Sequence, residues 1–173
     1  AGAGGVLLRE PALSDGDFLR LAKAAREVFV GGWLGVHDRV HIAAAAGADA
    51  VHLGFRSLSP GEARSVAPAG LGIGHSHHAT ELKLREMAAD YRFLGPVHRT
   101  QSKEGWVEPM GVAALDQMGL RGATWAIGGI GPEEVGAILD QGVAGVAAIG
   151  SVFGGGDGAR GMAAMLEAAA RHG

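Results

Sequence analysis

The sequence predicts an α/β fold of repeated βα units, a (β/α)8 barrel of the TIM type, and three observations carry that prediction. Short apolar runs alternate with amphipathic segments along the chain, which is the pattern of parallel strands buried on both faces and separated by helices. A helix-exit and strand-start phrase recurs as Gly2-Ala3-Gly4-Gly5-Val6, Gly47-Ala48-Asp49-Ala50-Val51 and Gly142-Val143-Ala144-Gly145-Val146. Each copy puts a glycine where a helix C-cap is wanted and a β-branched residue four positions on. Two glycine turns, Ile127-Gly128-Gly129-Ile130 and Ile149-Gly150-Ser151, each follow an apolar run and open onto a helical pattern. Exposed N–H groups at such helix starts attract oxyanions, and a phosphate site made by the last two strand-to-helix loops is a habit of (β/α)8 barrels.

Taken in order, the strands are expected at Val6 to Arg9, Trp33 to His37, Ala50 to Leu53, Leu71 to Gly74, Tyr91 to Leu94, Thr124 to Ile127 and Gly145 to Ile149. Ser14 with Asp17 forms a capping-box-like start, after which Phe18, Leu21, Ala22, Ala25, Val28 and Phe29 recur at helical spacing. A later helix begins at Pro132, carries Glu133 and Glu134 near its positive end, buries Val135, Ile138 and Leu139, and stops at Gly142. This reading gives one strand fewer than a closed barrel requires. The first glycine phrase implies a helix before Ala1, so either the first βα unit is missing and the chain is drawn from a longer polypeptide, or the fold closes differently. An opened barrel exposes strand edges, which favours association as a homo-oligomer. No linker or composition shift divides the sequence, so residues 1–173 read as a single barrel domain.

Composition narrows the partners. With 15 basic and 18 acidic side chains the net charge is -3, so no basic field argues for nucleic acid or an anionic membrane. Small molecules are the expected partners. There is no cysteine, hence no disulfide framework and no thiolate chemistry, and zinc could be held only by histidine and carboxylates. No apolar run approaches the roughly 20 residues that span a bilayer, and the setting expected is the cytoplasm.

Chemistry in such a fold gathers at the C-terminal ends of the strands. Those positions hold Arg9 and Glu10, His37 to Arg39, Gly54 to Ser57, His75 to His78, Pro96 to Lys103, and the two glycine turns. Thr100, Ser102 and Lys103 have T-x-S-K spacing, which can bring two hydroxyls and an ammonium to a phosphate or else form a solvated loop. His75, His77 and His78 admit a metal reading, but no acidic third ligand is close in sequence; the alternative is a helix N-terminal turn with exposed imidazoles. His98, just before the T-x-S-K loop, is either a proton carrier or a surface histidine.

Here the residues carry a resemblance. The ordered set His37-Asp38-Arg39-Val40, Gly47 to Gly54, Gly95-Pro96-Val97-His98-Arg99-Thr100-Gln101-Ser102-Lys103 and Ile127-Gly128-Gly129-Ile130 resembles the thiamine-phosphate synthase and TenI family through essentially the whole chain. The resemblance implies a (β/α)8 barrel with a thiazole phosphate site formed by Thr100, Ser102, Lys103, Gly128, Gly129, Gly150 and Ser151. It also implies one of two activities. Synthases join hydroxymethylpyrimidine diphosphate to thiazole phosphate, using a Q-x-R-x-K strand end, an N-D-R turn and a second aspartate after a V-H-L-G strand. This chain keeps Arg9 of the first motif, reads His37-Asp38-Arg39 at the second, and has Phe55-Arg56-Ser57 where the second aspartate belongs. TenI-type proteins instead aromatise a thiazole carboxylate tautomer, and Gly74-His75-Ser76-His77-His78 matches their G-x-S-x-H turn.

Because Mg2+ prefers carboxylate oxygens and Asp38 is the one surviving ligand, the expectation drawn is a thiazole tautomerase. In it Arg9 holds the substrate carboxylate, Ser76 lies at the substrate, and His98 or His78 relays the proton, with no cofactor. The alternatives are a synthase, with Mg2+ on Asp38, and a barrel that binds a phosphorylated metabolite without turnover.

Overall fold

The computed structural model describes residues 2–78, 88–100, 108–117 and 123–172. These residues form two compact units. Among them are seven strands, and in each unit the strands run parallel with chain neighbours as sheet neighbours.

The N-terminal unit, residues 3–76 with 88–90, contains β1 (Gly5–Leu8), α1 (Asp15–Val28), β2 (Trp33–His37), α2 (Val40–Ala45), β3 (Ala50–Leu53), α3 (Pro60–Val66) and most of β4 (Gly72–His77). β2 and β3 have the limits expected from sequence. β1 ends at Leu8, which releases Arg9 into the following loop. β4 runs three residues past the expected Gly74, because His75 still pairs in register with Leu53. The alternative of a helical turn at His75 to His78 is therefore corrected: His75 and His77 sit on a strand. α1 starts as expected, with Ser14 Oγ accepting from the Asp17 N–H at 3.2 Å. Its buried face is narrower than the sequence stripe, since Phe18 and Ala22 are buried while Val28 is 87% exposed. Phe18 packs with Val36, Ile42, Val51, Leu53 and Ile73, and each such side chain contributes roughly 1.5–3 kcal/mol on burial.

Two aspartates fasten strand starts in this unit. Asp49, just before β3, accepts from the Leu34 N–H at 2.7 Å and from Arg26 of α1 at 2.9 Å. Asp90 repeats the device, accepting from the Ile73 N–H at 2.7 Å and from Arg64 of α3 at 2.6 Å. Burial pushes the Asp90 carboxyl up, but the hydrogen bonds from Arg64 and Ile73 and the Arg64 charge outweigh it and hold the carboxyl below its ordinary range.

The C-terminal unit, residues 77–78 and 91–172 with Gly2, contains β5 (Tyr91–Leu94), α4 (Ala113–Gln117), β6 (Thr124–Ile127), α5 (Val135–Leu139), β7 (Gly145–Ala147), α6 (Gly150–Phe153) and α7 (Gly158–Ala170). β5 and β6 match expectation, whereas β7 stops two residues before Ile149, which turns away to cap α6. The helix expected from Pro132 is divided into a 3-10 turn, Pro132–Glu134, followed by α5, and Val135 and Ile138 are buried as expected. Its core holds Leu94, Val97, Leu115, Ala126, Val135, Ile138 and Val152.

Candidate functional site

In the N-terminal unit the polar groups collect where β1, β2 and β3 end. Parallel pairing sets Leu8 beside Val36 and His37 beside His52, so Arg9, one residue past β1, comes level with His37. Burial, and next the Arg9 charge, lower the His37 pKa against the smaller opposing effect of Asp38, so the imidazole stays neutral near pH 7. The His37 and His52 ring centroids are 6.1 Å apart. His52 is buried, and its Nε2 lies 2.8 Å from Ser76 Oγ, which gives both polar groups a partner away from water.

Asp38 takes φ 70, the left-handed region, where aspartate is among the few side chains tolerated. The turn is fixed by the Asp38 N–H donating to the His52 carbonyl at 2.9 Å and the Arg39 N–H donating to the His37 carbonyl at 2.9 Å. Asp38 is left exposed. Arg39 is consumed structurally: it donates to the Leu13 carbonyl at 2.8 Å, lies 3.1 Å from Asp15, and stacks over Phe18. After β3, the Gly54 N–H donates to Ser57 Oγ at 2.8 Å and the Ser57 N–H returns to the Gly54 carbonyl at 3.0 Å. This closed turn lies against His37, whose Nε2 would be 3.3 Å from a Cβ on Gly54.

The C-terminal unit presents a different surface. Gly128 and Gly129 have φ 100 and φ 67, conformations that other residues rarely adopt. The Val97 N–H donates to the Ile127 carbonyl at 3.1 Å and the His98 N–H to the Gly128 carbonyl at 3.0 Å, which lays residues 96–99 along this turn. The approach is close enough that a Cβ on Gly128 would sit 2.7 Å from Pro96 Cα, and one on Gly129 2.5 Å from the Arg99 carbonyl oxygen.

Glu134 links the same elements. One carboxylate oxygen accepts from the Gly131 N–H at 2.7 Å, and the other lies 3.0 Å from His98 Nε2 without hydrogen-bond geometry. His78 Nδ1 donates to the Gly95 carbonyl at 2.7 Å, which fixes the orientation of the ring. Gly150 opens α6 and is exposed, while the Ser151 hydroxyl is buried with no hydrogen-bond partner among the described residues. A buried hydroxyl of that kind is costly unless a ligand completes it. Thr100 is half-buried at the end of this segment. Ser102 and Lys103 lie outside the described residues.

The structure thus brings Arg9, Asp38 and Ser76 to strand ends of the N-terminal unit, and His78, His98, Thr100, Gly128, Gly129, Gly150 and Ser151 to those of the C-terminal unit. No group of three histidine, aspartate or glutamate side chains among the described residues is placed to hold a metal. Asp38 fits Mg2+ only as one ligand of an ion whose other oxygens come from a substrate diphosphate, the usual arrangement for Mg2+ in phosphate chemistry. Sequence reasoning missed the contact of Glu134 with His98 and that of His52 with Ser76, since each pair joins residues on different βα units. Among the described residues no helix is long and apolar enough to cross a membrane.

The sequence pattern of the thiamine monophosphate synthase family matches residues 1–152. A thiamine-phosphate synthase of Methanoculleus marisnigri is 40% identical over 168 residues, covering 91% of this chain and 79% of that protein. A putative thiamine-phosphate synthase of Geobacter sulfurreducens is 38% identical over 160 residues, covering 87% of this chain and 75% of that protein. Among solved structures, the thiamine phosphate pyrophosphorylase of Pyrococcus furiosus superposes with a TM-score of 0.89 at 26% identity, covering 99% of this chain and 85% of that one. That likeness establishes the α/β fold as the (β/α) barrel type of the family.

The same relatives correct the expected tautomerase. The curated relatives are synthases by name and match nearly the whole chain, whereas the tautomerase reading rested on one short turn, on the strand-end Arg9 and on one missing magnesium-binding aspartate. The physical error was to treat carboxylate-held metal as the only source of positive charge for a diphosphate, although arginine supplies it as well.

Proposed function

The chain belongs to the thiamine monophosphate synthase family, and on that premise we propose that it joins hydroxymethylpyrimidine diphosphate to thiazole phosphate, releasing pyrophosphate. The observation that carries this reading is the 40% identity to a thiamine-phosphate synthase across 91% of the chain. In the reaction the thiazole nitrogen forms a bond to the pyrimidine's methylene carbon as that carbon's bond to the diphosphate breaks. Negative charge then develops on the leaving pyrophosphate, and stabilising it is the main electrostatic task.

Arg9 and Asp38 serve the diphosphate, Arg9 directly and Asp38 as the residue that would hold Mg2+. Mg2+ supplies Lewis-acid neutralisation of the leaving group. Neutral His37 sits beside Arg9 without competing for its charge. Thr100, Ser102, Lys103, the Gly128–Gly129 turn, Gly150 and the unpartnered Ser151 hydroxyl serve the thiazole phosphate. His98 is a positioning residue: through Glu134 it keeps residues 96–99 on the glycine turn. Ser76 with His52, and His78 held by the Gly95 carbonyl, are oriented donors and acceptors for the ring substrates. A cytoplasmic setting goes with such phosphorylated substrates.

The test is chromatographic detection of thiamine phosphate from both substrates with Mg2+. Product should require both substrates, and Asp38→Asn should raise the Mg2+ concentration needed. Turnover unaffected by Asp38→Asn would remove Asp38 from the site.

A further inference from the structure

α7 is seated directly on the backbone of α6, the four-residue helix that carries Gly150 and Ser151. A Cβ on Gly161 would stand 2.3 Å from the Val152 carbonyl oxygen, 2.8 Å from Val152 Cα and 2.8 Å from the Ser151 carbonyl oxygen. All three are main-chain atoms, so no side chain can turn aside to make room. Gly158, one turn earlier in α7, faces α6 differently. A Cβ there would meet the edge of the Phe153 ring at 2.9 Å, and Phe153 is exposed and free to rotate. α6 is too short to fix its own place. Its bonds are the Val152 and Phe153 N–H groups on the Ile149 carbonyl, at 3.1 and 2.8 Å, and the Gly154 N–H on the Gly150 carbonyl at 2.7 Å, and a single turn of helix is marginal without packing. α7 is anchored at both ends. Asp157 caps its start by accepting from the Arg160 N–H at 3.1 Å. Towards its other end Met165 and Ala168 share a core with Val135, Ile138 and Val152, and His172 lies 2.9 Å from Asp140.

We propose that Gly161 is a positioning residue for the thiazole phosphate. Its missing side chain lets α7 hold the α6 backbone where the Ser151 hydroxyl, buried and unpartnered among the described residues, meets a phosphate oxygen. A larger residue at this position pushes α6 aside and carries that hydroxyl with it. This rests on the reading of Ser151 as part of the phosphate site, and adds to it a residue behind the site rather than in it.

The experiment is calorimetric titration of the whole chain with thiazole phosphate and, separately, with hydroxymethylpyrimidine diphosphate and Mg2+. Gly161→Ala should weaken thiazole phosphate binding about tenfold, the loss of one hydrogen bond to a charged group, and leave the diphosphate titration unchanged. Gly158→Ala should change neither. In a Ser151→Ala background Gly161→Ala should cost little more, because both substitutions remove the same bond, whereas a general structural defect would add in full. Full additivity would overturn the proposal. So would weak binding by Ser151→Ala beside parent-like binding by Gly161→Ala, which sinks the positioning role alone. A parent chain that does not bind thiazole phosphate, or a Ser151→Ala variant that binds as well as the parent, sinks the phosphate reading itself and the proposal with it. If Gly161→Ala does not fold, hydrogen exchange of the parent chain decides. Thiazole phosphate should then slow exchange of the Val152, Phe153 and Gly161 amides together, and protection that stops at α6 would overturn the proposal.

Discussion

At three strand starts the same backbone bond recurs: the Asp49 N–H donates to the Leu34 carbonyl at 2.8 Å, Asp90 to Ile73 at 2.7 Å, and Ala144 to Thr124 at 2.7 Å. In the N-terminal unit the aspartate side chain adds a second bond to the neighbouring strand and a third to a helix arginine. In the C-terminal unit alanine stands in the same place, and the buried Thr124 hydroxyl has no partner among the described residues. The opposite ends of the strands differ as well. The N-terminal unit offers charged side chains on loops, and the C-terminal unit offers backbone on two glycines. The backbone bond is what the βα repeat demands; under the proposed reaction the added charge would meet the leaving group and the bared backbone the phosphate.

The largest effect that would break this contrast is at Gly129. Gly129→Ala combines a left-handed φ with a 2.5 Å approach to the Arg99 carbonyl, and product formation should fall about a hundredfold, as for loss of an oxyanion donor. The rise should lie mainly in KM for thiazole phosphate, while pyrophosphate binding stays intact. Next is Asp49→Ala, which strands the Leu34 N–H and should cost about 1–2 kcal/mol in urea denaturation, the lower part of the charged hydrogen-bond range because the carboxylate is half exposed.

A pH series sharpens the difference further. His37 has a lowered pKa when folded, so unfolded chains take up the proton more readily. Its contribution is full above about 6.5 and is lost as pH falls below that value. Asp90, also lowered, keeps its contribution until pH falls below about 4. Urea midpoints should therefore decline between pH 7 and 5, and His37→Gln should flatten that decline. The smallest effect is at Thr124→Val, which removes a buried unsatisfied hydroxyl and should stabilise the chain by about 1 kcal/mol; clear destabilisation would mean that the hydroxyl is partnered.

Much of the fold was legible because buried parallel strands write themselves as apolar runs after a glycine exit, as at Trp33–His37, Ala50–Leu53 and Thr124–Ile127. β4 was cut short because polar Gly74-His75-Ser76-His77 does not read as a strand, although register with β3 holds it there. The aspartate fastening was hidden, since Asp49 stands in one copy of the phrase and Asp90 follows two alanines with no glycine. The strand-end positions of Arg9, Asp38 and the glycine turns were legible from the sequence alone. The choice of reaction was not, because local motifs count missing carboxylates more readily than they count arginines.

The central claim is tested most directly by 31P NMR of the chain with hydroxymethylpyrimidine diphosphate, thiazole phosphate and Mg2+. The account predicts that the substrate diphosphate signals are replaced by inorganic pyrophosphate as the thiazole phosphate resonance moves to that of thiamine phosphate, in equal amounts. Both substrates bound but unchanged after prolonged incubation would contradict it.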